Sequence, residues 1–135
     1  MLTGIEIAVV GAHMQGMALN DELRRLDAEF SRRTTTTPEY RLYALAGGPP
    51  MRPGLLRVAA HEGHAIEVEV WILAAEAFGR FVAKVPAPLS IGTLCLADGT
   101  TPKGFLVEPQ GLIGARDITD FGGWRAYMAS LTPAG

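Results

Sequence analysis

One of only three histidines, His13, sits inside the glycine-rich turn of "VVGAHMQGMALN", directly after an apolar run. A strand ending at Gly11 lets the N–H groups of the turn point outward together, a nest able to hold an anion or an oxyanion. Gly11 and Gly16 permit backbone conformations and close approaches that a Cβ blocks. A histidine beside such a nest can give or take a proton near neutral pH. The other reading is a histidine hydrogen-bonded to carbonyls to fix the turn, and the sequence leaves both open.

Fewer signals come from the remaining polar residues. Arg41 and Tyr43 share one face of a strand with Tyr40 opposite, so they can offer a cation and a phenol to an anion or form an amphipathic outer face. Glu67 and Glu69 lie two apart on one strand face and invite a general-base reading. With no partner in view, a solvated face is expected for at least one of them. His61 and His64 fall in a turn without converging acids, which reads as a solvated tip rather than a metal site. "GAHMQG" lacks the spacing of a dinucleotide or phosphate loop. No metal and no organic cofactor is expected.

The elements that position these residues follow from periodicity. "IEIAVV" reads as a core strand, and Leu19, Leu23 and Leu26 recur as one helical stripe with Asn20 as its cap. Residues 28–37 read as a partly exposed strand and 40–45 as a second one. "GGPPMRP" is a rigid loop before a hairpin made of "GLLRVAA" and "HAIEVEVWIL", turning near Glu62-Gly63. Residues 74–85 give the clearest helix, with Ala77, Phe78, Phe81 and Val85 inward, stopped by Pro86 and Pro88. Strands 90–97 and 101–108 join through "DGT", and a short terminal helix carries Trp124 and Tyr127. Six or seven strands with mostly hairpin links predict an α+β fold, a small mixed, mostly antiparallel β-barrel with flanking helices.

A chain of 135 residues, 48% hydrophobic and 19% charged, suits one globular domain spanning 1–135. The net charge of −2 with no basic block argues against nucleic acid; Arg24-Arg25 and Arg32-Arg33 read as solvated edges. The single cysteine, Cys95, excludes an internal disulfide and reads as a buried inert thiol. No run reaches membrane-spanning length, and the start lacks the charge and apolar core of a signal peptide. A soluble, cytoplasmic protein is expected, with homodimerisation left open.

At "GAHMQGMALN", "YRLYAL", "IEVEVW", "GRFVAKVPAPLSIGTLCLADG", "KGFLVE" and "DITDFGGWRAYMAS" the chain resembles the C-terminal domain of allophanate hydrolases, from about Glu6 to Ser130. The resemblance implies a γ-glutamylcyclotransferase-like fold. It also implies decarboxylation of N-carboxycarbamate, the product of an N-terminal Ser-Ser-Lys amidase domain in urea breakdown. No amidase signature is present, so an excised domain or a free-standing relative with a separately encoded amidase partner is expected. His13 would then be the proton donor to the substrate nitrogen. The turn at Gly11, Ala12, Met14, Gln15 and Gly16 would hold a small carboxylate or carbamate, with Gln15 as a neutral donor. Arg41 or Lys103 would neutralise the second charge, Tyr43 would offer its phenol to the ligand, and Pro88 would belong to an apolar wall. The alternative is a non-catalytic binding or assembly module using Trp71 and Trp124 at an interface. Cyclotransferase activity is the weakest reading, because "FVAKVPAPLSIG" has no carboxylate where those enzymes carry their glutamate.

Overall fold

The computed structural model describes residues 4–131, so the ends of the expected 1–135 domain lie outside the described residues. Among the described residues, eight strands form two sheets. The larger has the order β2-β5-β1-β7-β6, built from β1 Ile5–Val9, β2 Glu29–Thr35, β5 Glu67–Leu73, β6 Leu89–Thr93 and β7 Lys103–Val107. The smaller has the order β4-β3-β8, from β3 Tyr40–Ala44, β4 Pro53–Arg57 and β8 Arg116–Asp117. β1 runs antiparallel to β5 and parallel to β7, and every other ladder is antiparallel. The α+β, mostly antiparallel expectation therefore holds.

The barrel does not close as one ladder. Pro38 lacks an N–H, and the chain leaves the large sheet around it to begin the small one. The sheets join by packing instead: β4 lies so close to β7 that a Cβ on Gly54 would stand 2.8 Å from Val107. The expected hairpin between residues 54–60 and 64–73 is also absent. β4 pairs with β3, and a 3₁₀ turn at Ala60–Glu62 carries the chain away to β5. β5 goes to the interior of the large sheet, between β1 and β2, because it is buried on both faces. Val68 and Val70 on one side and Glu69 and Trp71 on the other are all shielded from solvent.

Three helices flank the sheets. α1 is short, Asn20–Arg24, and Leu19 rather than Asn20 occupies its cap position. α2, Ala75–Ala83, buries Phe81 and packs Ala77 and Phe78 against the core, as its periodicity predicts. α3, Trp124–Leu131, buries Trp124 and Tyr127. The "DGT" hairpin joins β6 to β7, with Gly99 at φ +87° and Asp98 accepting from the Thr100 N–H and hydroxyl. Those bonds, with Arg32, hold the Asp98 carboxyl down at about 2. Cys95 is half-buried against the core rather than enclosed.

Candidate functional site

The turn after β1 leaves the central strand of the large sheet and is tied down on several sides. Gly11 accepts the Met14 N–H at 3.0 Å, and Ala12 accepts the Leu19 N–H at 2.8 Å. A Cβ on Gly11 would overlap the Pro53 ring, so glycine lets the turn lie against β4. Gly16 has φ +79° in open space, a left-handed position that favours glycine. Asn20, buried at the start of α1, donates from Nδ2 to the His13 carbonyl at 2.8 Å. It therefore holds the turn instead of capping the helix.

The Gln15 peptide is clamped from the other side by a buried carboxylate. Glu69 has no solvent exposure. Its Oε1 accepts the Gln15 N–H at 2.8 Å and the Trp71 Nε1–H at 3.3 Å. Its Oε2 accepts Arg33 at 2.9 Å and Arg125 at 2.6 Å. Arg125, on α3, also donates to the Gln15 carbonyl at 2.6 Å. Burial opposes ionisation of Glu69. The bonds from Gln15, Arg125, Arg33 and Trp71 outweigh it and hold the carboxyl below its ordinary value.

His13 itself is half-buried, its side chain 13% exposed. The ring stacks on Phe105 with centroids 5.3 Å apart and meets the edge of Phe81 at 4.9 Å. Nε2 faces Glu22 Oε1 at 3.0 Å, which assigns the proton of the neutral ring to Nε2. Nδ1 has no hydrogen-bond partner among the described residues. Burial pushes the His13 pKa below its ordinary 6.5; Glu22 pulls it up, and the charge of Arg52 pushes it down further. The fold thus favours neutral His13. Its contribution to stability is complete above pH 6.5 and fades as pH falls through the lowered value.

Two narrow spaces open beside the ring. One, about 20 Å³, lies among Gly11, Ala12, His13, Pro53, Leu89, Phe105 and Arg52. The other, about 60 Å³, lies among His13, Glu22, Arg52, Phe81, Lys84 and Pro86. Arg52 lines both. Arg52 is half-buried as a residue, and its guanidinium makes no ion pair or side-chain hydrogen bond with the described residues. The N–H groups of Ala12 and His13 have no protein acceptor among the described residues either. A cation without a counterion, two backbone donors and a histidine at one cleft can receive a small carboxylate and hold a proton beside it.

The family model for the allophanate hydrolase C-terminal domain matches residues 5–129. The chain belongs to that family. It is 42% identical over 132 residues to the urea amidolyase of Saccharomyces cerevisiae, covering 96% of this chain and 7% of that protein. The chain thus spans only a small part of the curated relatives it matches. The solved allophanate hydrolase of Kluyveromyces lactis is 39% identical with a TM-score of 0.93, covering 97% of this chain and 22% of that one. A uropathogenic E. coli-specific protein is 34% identical with a TM-score of 0.86, and the match covers 97% of this chain and 100% of that chain. An aig2-like protein from Mus musculus shares the fold alone, at 18% identity and a TM-score of 0.60 over 80% of this chain and 82% of that one. The γ-glutamylcyclotransferase-like fold expectation is met.

Within this allophanate hydrolase C-terminal domain, the residues expected at the site separate. Gly11, Ala12 and His13 line one cleft. Met14 is instead a core side chain with no exposure, and its N–H is used by the Gly11 carbonyl. The Gln15 N–H is taken by Glu69, so two of the expected nest donors are spent on holding the turn. Arg41 and Tyr43 do share the outer face of β3. Arg41 is bound to Asp117 at 2.6 Å and to the Glu62 carbonyl, away from the His13 cleft. Tyr43 pairs across the ladder with Asp117 and lines neither cleft. Lys103 donates to Thr93 between β6 and β7. Pro88 lines a neighbouring groove rather than either His13 space.

Glu22, Phe105, Lys84 and above all Arg52 are site residues that periodicity did not find. Arg52 sits in the "GGPPMRP" loop between prolines, where no pattern tells a solvated arginine from one turned toward another loop. Trp71 and Trp124 are buried at 4% and 1% exposure, so neither is an interface aromatic. Among the described residues no helix is long and apolar enough to cross a membrane.

Proposed function

We propose that this domain binds a small dianionic carboxylate at the His13 cleft and promotes loss of CO2 from N-carboxycarbamate or a similar N-carboxylate, beside an amidase in urea or amide nitrogen metabolism. The observation that carries the reading is the unpaired Arg52 guanidinium beside a half-buried histidine with a carboxylate behind its ring. Names among the relatives, urea amidolyase and allophanate hydrolase, supply the metabolic setting.

In this account one carboxylate of the ligand rests on Arg52 and the free N–H groups of Ala12 and His13. The other lies against Pro53, Leu89 and Phe105. The ligand's negative charge raises the proton affinity of His13, which takes up a proton at Nδ1 while Nε2–H stays on Glu22. The C–N bond to the second carboxylate then breaks, its electron pair goes to nitrogen, and nitrogen receives the His13 proton. CO2 departs and a carbamate remains. The apolar wall excludes water and favours the change from carboxylate to neutral CO2.

The direct test generates N-carboxycarbamate in place, with an amidase acting on allophanate, and follows CO2 release with and without the domain. Release faster than the unaided breakdown supports the reading; release at the background rate at saturating domain contradicts it. Arg52→Gln weakens malonate, a stable dianionic mimic, by about tenfold, the worth of one charge-assisted hydrogen bond. Because the side chain holds nothing else in the described fold, its melting curve stays at the wild-type position. Unchanged malonate affinity by calorimetry would remove Arg52 from the site.

A further inference from the structure

We propose that the groove beside the His13 cleft receives an uncharged, largely apolar substituent of the bound carboxylate, so that the ligand class includes dianions with a side branch. The inference rests on the reading of the cleft as a carboxylate site and extends it to the ligand's other end. The two spaces at His13, about 20 and 60 Å³, have room for little more than the charged groups. The adjoining groove is about 380 Å³, far more than a bare malonate-sized ligand fills.

The spaces adjoin one another through shared wall residues. Arg52 and Leu89 line both the groove and the smaller His13 space, and Pro86 lines both the groove and the larger one. A carboxylate held on Arg52 therefore has the groove directly beside it to take the rest of its ligand. Leu45, Pro49, Pro50, Pro88 and Ile113 give the groove apolar side chains, beside the exposed backbone of Gly47 and Gly48. Among the described residues no charged side chain other than Arg52 lines it, so a second ionic group finds no partner there. Gln110 offers a single polar side chain. Ile113 is 76% exposed and stands at the rim, apolar surface that a ligand's branch would cover. Proline walls are fixed in φ before binding, so little backbone freedom is lost when they are covered.

The test compares malonate with 2-butylmalonate on the intact chain, by calorimetry and by backbone amide shifts. The butyl compound binds about tenfold tighter, since four methylene-sized groups each gain part of the hydrophobic transfer available to a buried carbon. Only the butyl compound shifts the amides of Gln110, Gly111 and Ile113. In Ile113→Ser, an exposed site whose change leaves folding intact, malonate affinity stays and the butyl gain falls to a few-fold. If malonate binds at His13 and the butyl compound binds equally or more weakly, the groove proposal is overturned and the cleft reading stands. If malonate itself leaves His13 and the turn unperturbed, the carboxylate reading falls, and the groove proposal with it.

Discussion

Glu69→Leu destabilises the domain by about 2–4 kcal/mol in denaturant unfolding, and Glu69→Gln by about half as much. The leucine fills the volume but leaves the Gln15 N–H and the Trp71 Nε1–H without an acceptor, and frees Arg33 and Arg125. Each buried donor left unmade costs about 1–3 kcal/mol. The two arginine side chains, 47% and 29% exposed, reach water, so the loss stays below that of a stranded buried charge. The glutamine keeps an oxygen for both N–H groups but gives up the charge and the second acceptor, so its amide NH2 faces Arg33 and Arg125, which turn to water.

The pH dependence has a definite sign. Glu69 has a depressed pKa in the folded state, so its contribution is present above the ordinary value of 4.5 and is lost as pH falls through the folded value. Glu69→Gln removes that part of the acid sensitivity. A leucine variant as stable as the wild type, with the same acid limb, would show that Glu69 does not hold the turn.

His13→Ala brings CO2 release back to the unaided rate, a loss of the ~10²–10⁴-fold that a positioned proton donor supplies. The alanine variant is also somewhat less stable. Its ring packs on Phe105 and Phe81, and each aromatic contact is worth about 0.5–1.5 kcal/mol. The half-buried position thus gives His13 a share in packing as well as in the cleft. His13→Gln separates folding from chemistry, since glutamine can still reach Glu22 and has no proton to give at neutral pH. Both variants, shown folded by their unfolding curves, fall to background. Turnover retained by folded His13→Gln would exclude the histidine as proton donor.

Much of the fold was readable because its signals are local. The alternation of β3, the stripe of α2 and the Asp98-Gly99 turn each depend on near neighbours, and each forms as its pattern predicts. Partner choice was less readable. β4 and β5 are consecutive apolar runs with a polar turn between, which is also how a hairpin reads. Only the two-sided burial of β5 sends it to the interior of the large sheet.

The site divides in the same way. His13 and its glycines lie in one turn and could be found from it. The cation could not, because Arg41 and Arg52 differ in what tertiary structure gives them: Arg41 has Asp117 across a ladder, while Arg52 has an open cleft. Glu69 could not be told from Glu67 as the buried one of the pair, because its partners come from α3, β2 and the turn, far apart along the chain. No spacing rule joins residues 15, 33, 69 and 125.

The most direct test of a carboxylate site at His13 is a malonate titration of the wild-type domain, following the His13 ring and the turn amides by NMR at several pH values. Saturable shifts are expected at the His13 ring and at the Ala12 and His13 amides. Binding takes up protons, and affinity rises as pH falls, because the bound dianion raises a His13 pKa that burial holds low. Shifts confined to residues outside this cleft, or saturation with no change in the His13 ring or in bound protons, would contradict it.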